Sequence, residues 1–434
     1  MVPGVRAQRE RASVGRASLP ILLVALTFVP GCTFINNIIG SEKRDVYKFD
    51  HPFNADSPAF RRSAEALGFP MVDGNEALLL QNGDAIIPAM IGEIHNAKKT
   101  VNLESYIFQP DEAGRLFTDA MIAAAKRGVQ VRLLIDGFGG KLKEFKKELD
   151  AAGVMAQKYR PLRLFSIYKI GNRTHRKILV VDGRVAYTGG LGIDKRWMGD
   201  ARNQNEWRDT QVRVEGPVAG QMQAIFAEDW TYTTGEILAG DDYYPENPRV
   251  GSLRAQAIKA SRGDSSSLSK MLYYVAIQSA EKSIHIANAY FLPDKQVREA
   301  LVAAVKRGVD VQIMVPGSNI DLPMVRFASW SHYGELLKGG VHIYEYQPTM
   351  LHNKTAVIDG IYSTIGSINF DSRSMNANAE EALAFYDRGF AVQMDEMFRN
   401  DRKRCREITY AMWDDRGLHR RIIETIFWIW EPYY

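Results

Sequence analysis

An α/β fold of two tandem lobes, each a mixed β-sheet flanked by helices, is predicted by three observations on this 434-residue chain. One short pattern occurs twice: His175, Lys177 and Asp182 with Gly189 and Gly190, then His352, Lys354 and Asp359 with Gly366 and Ser367. The stretch at 123–131, Ala-Ala-Ala-Lys-Arg-Gly-Val-Gln-Val, returns at 303–311 as Ala-Ala-Val-Lys-Arg-Gly-Val-Asp-Val, a lag of 180 residues against 177 between the two histidines. Apolar strand-like runs also alternate with helical periodicity in both halves, as strands covered by helices require.

Taken in order, residues 1–31 open with Arg6, Arg9, Arg11 and Arg16, continue through an apolar run at 19–29 and end at Gly31 before Cys32. That is the layout of a secretory signal peptide of lipoprotein type, with Cys32 as the lipidated residue. The run is too short for an ordinary transmembrane helix. An N-terminal segment at 32–73 leads to a first lobe at 74–240, a second at 241–410 and an amphipathic C-terminal tail at 411–434. Ile87, Met90, Ile91 and Ile94 recur at i, i+3, i+4 and i+7, the stripe of a helix packed on a sheet. Strands are predicted at 101–108 and 284–291, and again at 129–135 and 309–315. Between them run helices ended by Gly128 and Gly308, where glycine relieves a left-handed turn. The runs 175–181 and 351–358 are apolar between their polar residues, as in strands covered on both faces. Residues 235–267, rich in Gly, Asp, Pro, Ser and Tyr, read as the crossing between lobes, with a weak strand near 254–258.

In an extended strand alternate side chains share a face, so each histidine is expected beside the lysine two residues on. Two such faces brought together suit a phosphodiester. The ester is anionic and repels nucleophiles, so Lys177 and Lys354 supply fixed positive charge for its non-bridging oxygens. One imidazole then attacks phosphorus while the other protonates the leaving alkoxide and later deprotonates the incoming alcohol or water. This chemistry calls for no metal and no cofactor.

On these motifs the chain resembles the phospholipase D superfamily, and within it the bacterial cardiolipin synthases, over roughly residues 74–410. The stretches 174–190, 207–217 and 342–373 carry the likeness. The resemblance implies two phospholipase D-type lobes related by pseudo-twofold symmetry, their active faces meeting across the axis. It counts Asp182 and Asp359 in the catalytic set with the histidines and lysines of their motifs. It implies that each catalytic histidine is steadied by an acid downstream of it, Asp209 after His175 and Glu380 after His352. It adds Gly190, Ser367 and Asn369 as substrate contacts, although Gly192 stands where the first copy should match Asn369. The implied activity is transfer of a phosphatidyl group between phospholipids such as phosphatidylglycerol through a phosphohistidine, with His175 as nucleophile and His352 as acid and base, or the two roles exchanged. With water as acceptor the same site is a phospholipase D that releases phosphatidic acid. The same residues also suit a secreted nuclease of the superfamily, or a non-enzymatic envelope lipoprotein that keeps the fold for binding.

Composition bears on these readings. The formal charge of +4 falls to +1 when residues 1–31, with four arginines and Glu10, are removed. No broad cationic excess remains for nucleic acid, and none is expected as a partner. Lipid-anchored attachment to the bacterial cell envelope, facing the periplasm, is the expected location, with the membrane surface and phospholipids as partners; the oligomeric state is left open. Only Cys32 and Cys405 are present, so no disulfide framework is expected. Tyr106, Phe108, Tyr290 and Phe291 fall at paired strand ends, where core packing is preferred over lining an acyl-chain path. The basic, Trp-rich tail from Arg416 fits a bilayer-interface segment and a helix docked on its own domain equally.

Overall fold

The computed structural model describes residues 47–49, 53–161, 173–260 and 264–429. The expected leader at 1–31 and Cys32 lie outside them, as do the last five residues of the tail.

The first lobe contributes β1 (Val72–Gln81), β2 (Thr100–Ser105), β3 (Gln130–Asp136), β4 (Met155–Tyr159), β5 (Lys177–Val181), β6 (Val185–Gly189) and β7 (Thr210–Glu215). The second repeats the plan with β8 (Leu253–Ala260), β9 (Ser283–Asn288), β10 (Asp310–Pro316), β11 (His342–Tyr346), β12 (Lys354–Ile358), β13 (Tyr362–Gly366) and β14 (Glu380–Tyr386), and β15 (Cys405–Ile408) is added at its edge. Among the described residues these form one 15-stranded sheet, in the order β15-β11-β10-β9-β12-β13-β14-β8-β1-β7-β6-β5-β2-β3-β4. Outward from the β1/β8 junction the two lobes read identically, as a twofold axis there requires. Each lobe is mixed: β2 runs parallel to β3 but antiparallel to β5, and β9 does the same with β10 and β12.

Local chemistry repeats along with topology. Asp111 and Asp294 each cap a helix, Glu112–Lys126 and Lys295–Lys306, by accepting from the backbone N–H of Gly114 and Val297. Gly128 and Gly308 follow those helices at φ of 91° and 92°. Helices Asn82–Asn96 and Glu112–Lys126 bury one apolar cluster of the first lobe, and Lys295–Lys306 and Pro323–Lys338 bury its counterpart in the second. On the opposite side Val218–Thr234 and Arg388–Arg402 share a third cluster that runs across both lobes, joining Val212 to Leu383 and Phe385. Both lobes accordingly belong to one compact unit, Phe49–Tyr434.

The strand expected near 254–258 is present and longer, as β8 over Leu253–Ala260, a central strand paired with both β14 and β1. Its sequence, Leu-Arg-Ala-Gln-Ala-Ile-Lys-Ala, is short of the β-branched residues that advertise a strand. The described part of the segment before residue 74 packs on the second lobe. Its helix Pro58–Ala66 buries Phe60 and Ala64 in the second lobe's core, with Phe60 edge-on to Tyr362 at 5.0 Å. The tail helix Leu418–Ile429 docks on Pro323–Lys338: Phe427 stacks on Phe327, and buried Glu424 pairs with Arg416 and Arg420.

Candidate active site

His175 and His352 stand two residues before β5 and β12, where each strand leaves the sheet at the lobe boundary. Each is stitched to the other lobe by its backbone: His175 N–H donates to Ala379 O at 2.8 Å, and His352 N–H to Arg208 O at 2.7 Å. The residues after those two acceptors are the ones that matter. Glu380 opens β14 and meets His175 Nδ1 at 2.8 Å; Asp209, just before β7, meets His352 Nδ1 at 2.8 Å.

The expected partnership is thereby corrected: each acid serves the histidine of the opposite lobe. The reason is topological. β7 and β14 lie on the inner side of their own lobes, so their N-terminal ends point across the axis toward the neighbour's histidine. Carboxylate acceptance fixes the proton on Nδ1 of both rings and leaves both Nε2 atoms for chemistry. Glu380 is itself held by Ser374 Oγ at 2.7 Å and by Ser367 Oγ at 2.5 Å, and Asp209 by Trp197 Nε1 at 2.7 Å.

Both imidazoles line one cavity of about 320 Å³, with Lys177, Asn369, Arg173, Arg373, Tyr106, Tyr290 and Trp197 among its other walls. The description "Cardiolipin synthase, PLD-like domain" matches the chain at residues 90–230 and 273–402. The chain belongs to this family. It is similar to cardiolipin synthase 2 of Bacillus anthracis, 36% identical over 82% of this chain and 70% of that protein. It is likewise similar to cardiolipin synthase A of Pseudomonas entomophila (strain L48), 35% identical over 84% of this chain and 76% of that protein. Among solved structures, phosphatidylserine synthase of Haemophilus influenzae Rd KW20 shares the fold, with a TM-score of 0.64 at 14% identity, covering 85% of this chain and 96% of that one.

For a cardiolipin synthase-family site, the electrostatics favour uncharged rings. Burial lowers His175 to about 4; Glu380 opposes this and Lys177 adds to it. His352 is lowered to about 3 by burial and by Lys354, against Asp209. Lys354 is lowered to about 7 by burial despite Asp209, and Lys177 is lowered from the same cause. Burial alone would raise Glu380 and Asp209, but their histidines and lysines outweigh it and hold both below the usual range. Each lysine folds back on its own strand, donating to His175 O at 2.5 Å and His352 O at 2.7 Å. The rings differ in one respect. Lys354 Nζ lies 2.9 Å from both nitrogens of His352, whereas no donor among the described residues reaches Nε2 of His175.

The motif's aspartates do not join this site. Asp182 accepts from the backbone N–H groups of Lys98, Lys99 and Thr100, and Asp359 from those of Glu281, Lys282 and Ser283, both at a φ of 53°. They brace the starts of β2 and β9 at the far ends of the catalytic strands, which corrects their placement in the catalytic set. Gly190 is also no phosphate contact: its N–H donates to Thr210 O, and a Cβ there would meet Asp209 Oδ1 at 2.2 Å. Its role is to leave room for that carboxylate. Ser367 is turned away from the cavity toward Glu380 and Glu381, so it too is reassigned from substrate to support. Asn369 does line the cavity, and its buried Oδ1 has no partner among the described residues. In the first copy the corresponding space beside Gly192 is filled by the Trp197 indole, 3.0 Å from a built Cβ.

The strand-end aromatics divide. Phe108 and Phe291 are core, while Tyr106 and Tyr290 line the cavity, with the Tyr106 ring 5.1 Å from that of His175. Sequence reading missed Arg173 and Arg373 in the wall, since neither lies in the repeated pattern. Arg373 makes no ion pair with any described residue; its place three residues before Asn376-Ala377-Asn378 gave no signal.

Proposed function

We propose that this cardiolipin synthase-like phosphatidyltransferase moves a phosphatidyl group from one phospholipid, by way of His175, to the hydroxyl of phosphatidylglycerol or a similar lipid alcohol. The observation that carries the reading is two imidazoles, each with Nδ1 on a buried carboxylate from the other lobe, lining a single cavity beside buried lysines.

The Nε2 lone pair of neutral His175 attacks phosphorus, and Lys177 and Lys354 neutralise charge gathering on the equatorial oxygens. The P–O bond to the departing alcohol breaks, and the alkoxide takes a proton from His352. His352 holds that proton because the bound anionic diester offsets the burial and the lysine charge that otherwise disfavour the imidazolium. The acceptor hydroxyl then gives its proton back to His352 as its oxygen attacks phosphorus, the P–N bond breaks, and His175 returns neutral. His175 is preferred as nucleophile because its Nε2 is unengaged while Lys354 crowds both nitrogens of His352.

Among the described residues no helix is long and apolar enough to cross a membrane. Attachment would come from the N-terminal leader and Cys32, holding the enzyme on the bacterial cell envelope facing the periplasm. Lipid mass spectrometry of cells making the wild type or His175→Ala tests the function. Cardiolipin rising only with the wild type supports it. Identical lipids in both strains, or a rise in phosphatidic acid alone, would refute it.

A further inference from the structure

The tail helix Leu418–Ile429 is apolar on two sides. One side, through Phe427, is spent on Pro323–Lys338. The other carries Leu418, Ile422 and Ile426 at i, i+4 and i+8, exposed to 73%, 52% and 48%, with exposed His419 and Arg421 flanking the row. Such spacing sets three large side chains in one line along the helix. Along the tail helix the contacts move toward the start of its partner, from Arg420 over the Trp330 ring to Phe427 on Phe327. The end of the tail helix therefore approaches the start of Pro323–Lys338, where Leu322 both lines the cavity and is 42% exposed and Met324 is 39% exposed. Through Phe427 the tail helix thus packs on the helix whose Val325 lines the cavity.

The cavity's size says what this surface faces. A space of about 320 Å³ is a cube roughly 7 Å on edge, whereas the acyl chains of one leaflet reach about 15 Å, half the hydrocarbon core. The site can enclose a phosphodiester headgroup but not its chains, which must remain in the bilayer while the headgroup reacts. The mouth is then pressed to the membrane, and whatever adjoins the mouth meets the interface. We propose that the Leu418, Ile422 and Ile426 row inserts into the lipid surface and seats the cavity over its substrate, an inference that rests on the phosphatidyltransferase reading.

The test compares full-length wild type with the combined variant Leu418→Ser, Ile422→Ser, Ile426→Ser on two forms of phosphatidylglycerol. One is long-chain lipid in vesicles, the other dihexanoyl lipid kept monomeric. Turnover on vesicles should fall at least about tenfold while turnover on the monomeric lipid stays within about twofold, because only the first needs the surface. Unchanged vesicle turnover overturns the proposal, as does equal loss on both forms, which would mark the row as structural. A concentration-dependent dimer in sedimentation of the wild type, absent in the variant, would assign the row to a second copy and likewise overturn it. If wild type acts on neither form, the phosphatidyltransferase reading fails first, and that outcome is distinct from the others.

Discussion

Replacing Glu380 by Gln should disable His175 specifically, although the two residues come from opposite lobes. The carboxylate sits 2.8 Å from His175 Nδ1 and is fully buried. At an effective dielectric near 20, a unit charge pair at that distance attracts by roughly 6 kcal/mol, or about four decades of rate at about 1.4 kcal/mol per tenfold. Glutamine keeps the shape but not the charge. The side chain now accepts from His175, Ser367 and Ser374 together, and an amide offers one oxygen for these three donors, so the tautomer is also lost. The assay is a rapid-quench burst with a phosphatidyl ester of p-nitrophenol, a leaving group that needs no acid. Glu380→Gln should lose the burst by about 10⁴-fold, while Asp209→Asn, which impairs only the proton donor, should retain most of it. Mass spectrometry of the trapped peptide places the phosphoryl group. A label on His175 that survives Glu380→Gln but disappears in Asp209→Asn would refute the crossed pairing.

Other outcomes follow from the same geometry. Asp182→Ala and Asp359→Ala should each lower the thermal midpoint, by the loss of three charge-assisted backbone bonds worth about 2–4 kcal/mol together, with turnover per folded molecule nearly unchanged; calorimetry with active-site titration checks this. Gly190→Ala should cut turnover at least about a hundredfold, because its methyl group would displace Asp209; a fully active variant would mean the carboxylate is not needed where it stands. With Lys354 lowered to about 7, kcat/KM should decline above that pH as the anion-binding charge is lost, and Lys354→Arg should move the decline upward in a pH–rate profile. Stability responds in the opposite direction. His175 has a folded pKa of about 4, below its unfolded 6.5, so the unfolded chain binds a proton that the folded one refuses, and stability is lost as pH falls from about 6.5 to about 4. His175→Gln should flatten that slope in denaturant titrations.

Much of this architecture was legible in the chain because duplication leaves the same signals twice. The helices ended by Gly128 and Gly308, the strands that follow them and the paired His-x-Lys motifs all appear where periodicity and spacing put them. β1 and β8 were harder to read, for β1 is only partly buried and β8 is short of β-branched residues. The acids at 209 and 380 were found, but the crossing of their partners was not: sequence order favours the nearer histidine, and only the position of β7 and β14 beside the axis reverses it. Motif residues also differ in kind. Asp182 and Asp359 repeat as faithfully as the histidines, because a strand-end brace is as indispensable to each lobe as its chemistry. Arg373 shows the converse, a cavity residue with no counterpart pattern to announce it.

The central claim is that both rings address one phosphorus atom, and a crystal structure with orthovanadate tests it most directly. A single vanadium flanked by Nε2 of His175 and Nε2 of His352, with Lys177 and Lys354 on its equatorial oxygens, is the predicted result. Vanadate held by one lobe alone, or two ions each bound to its own histidine, would contradict it.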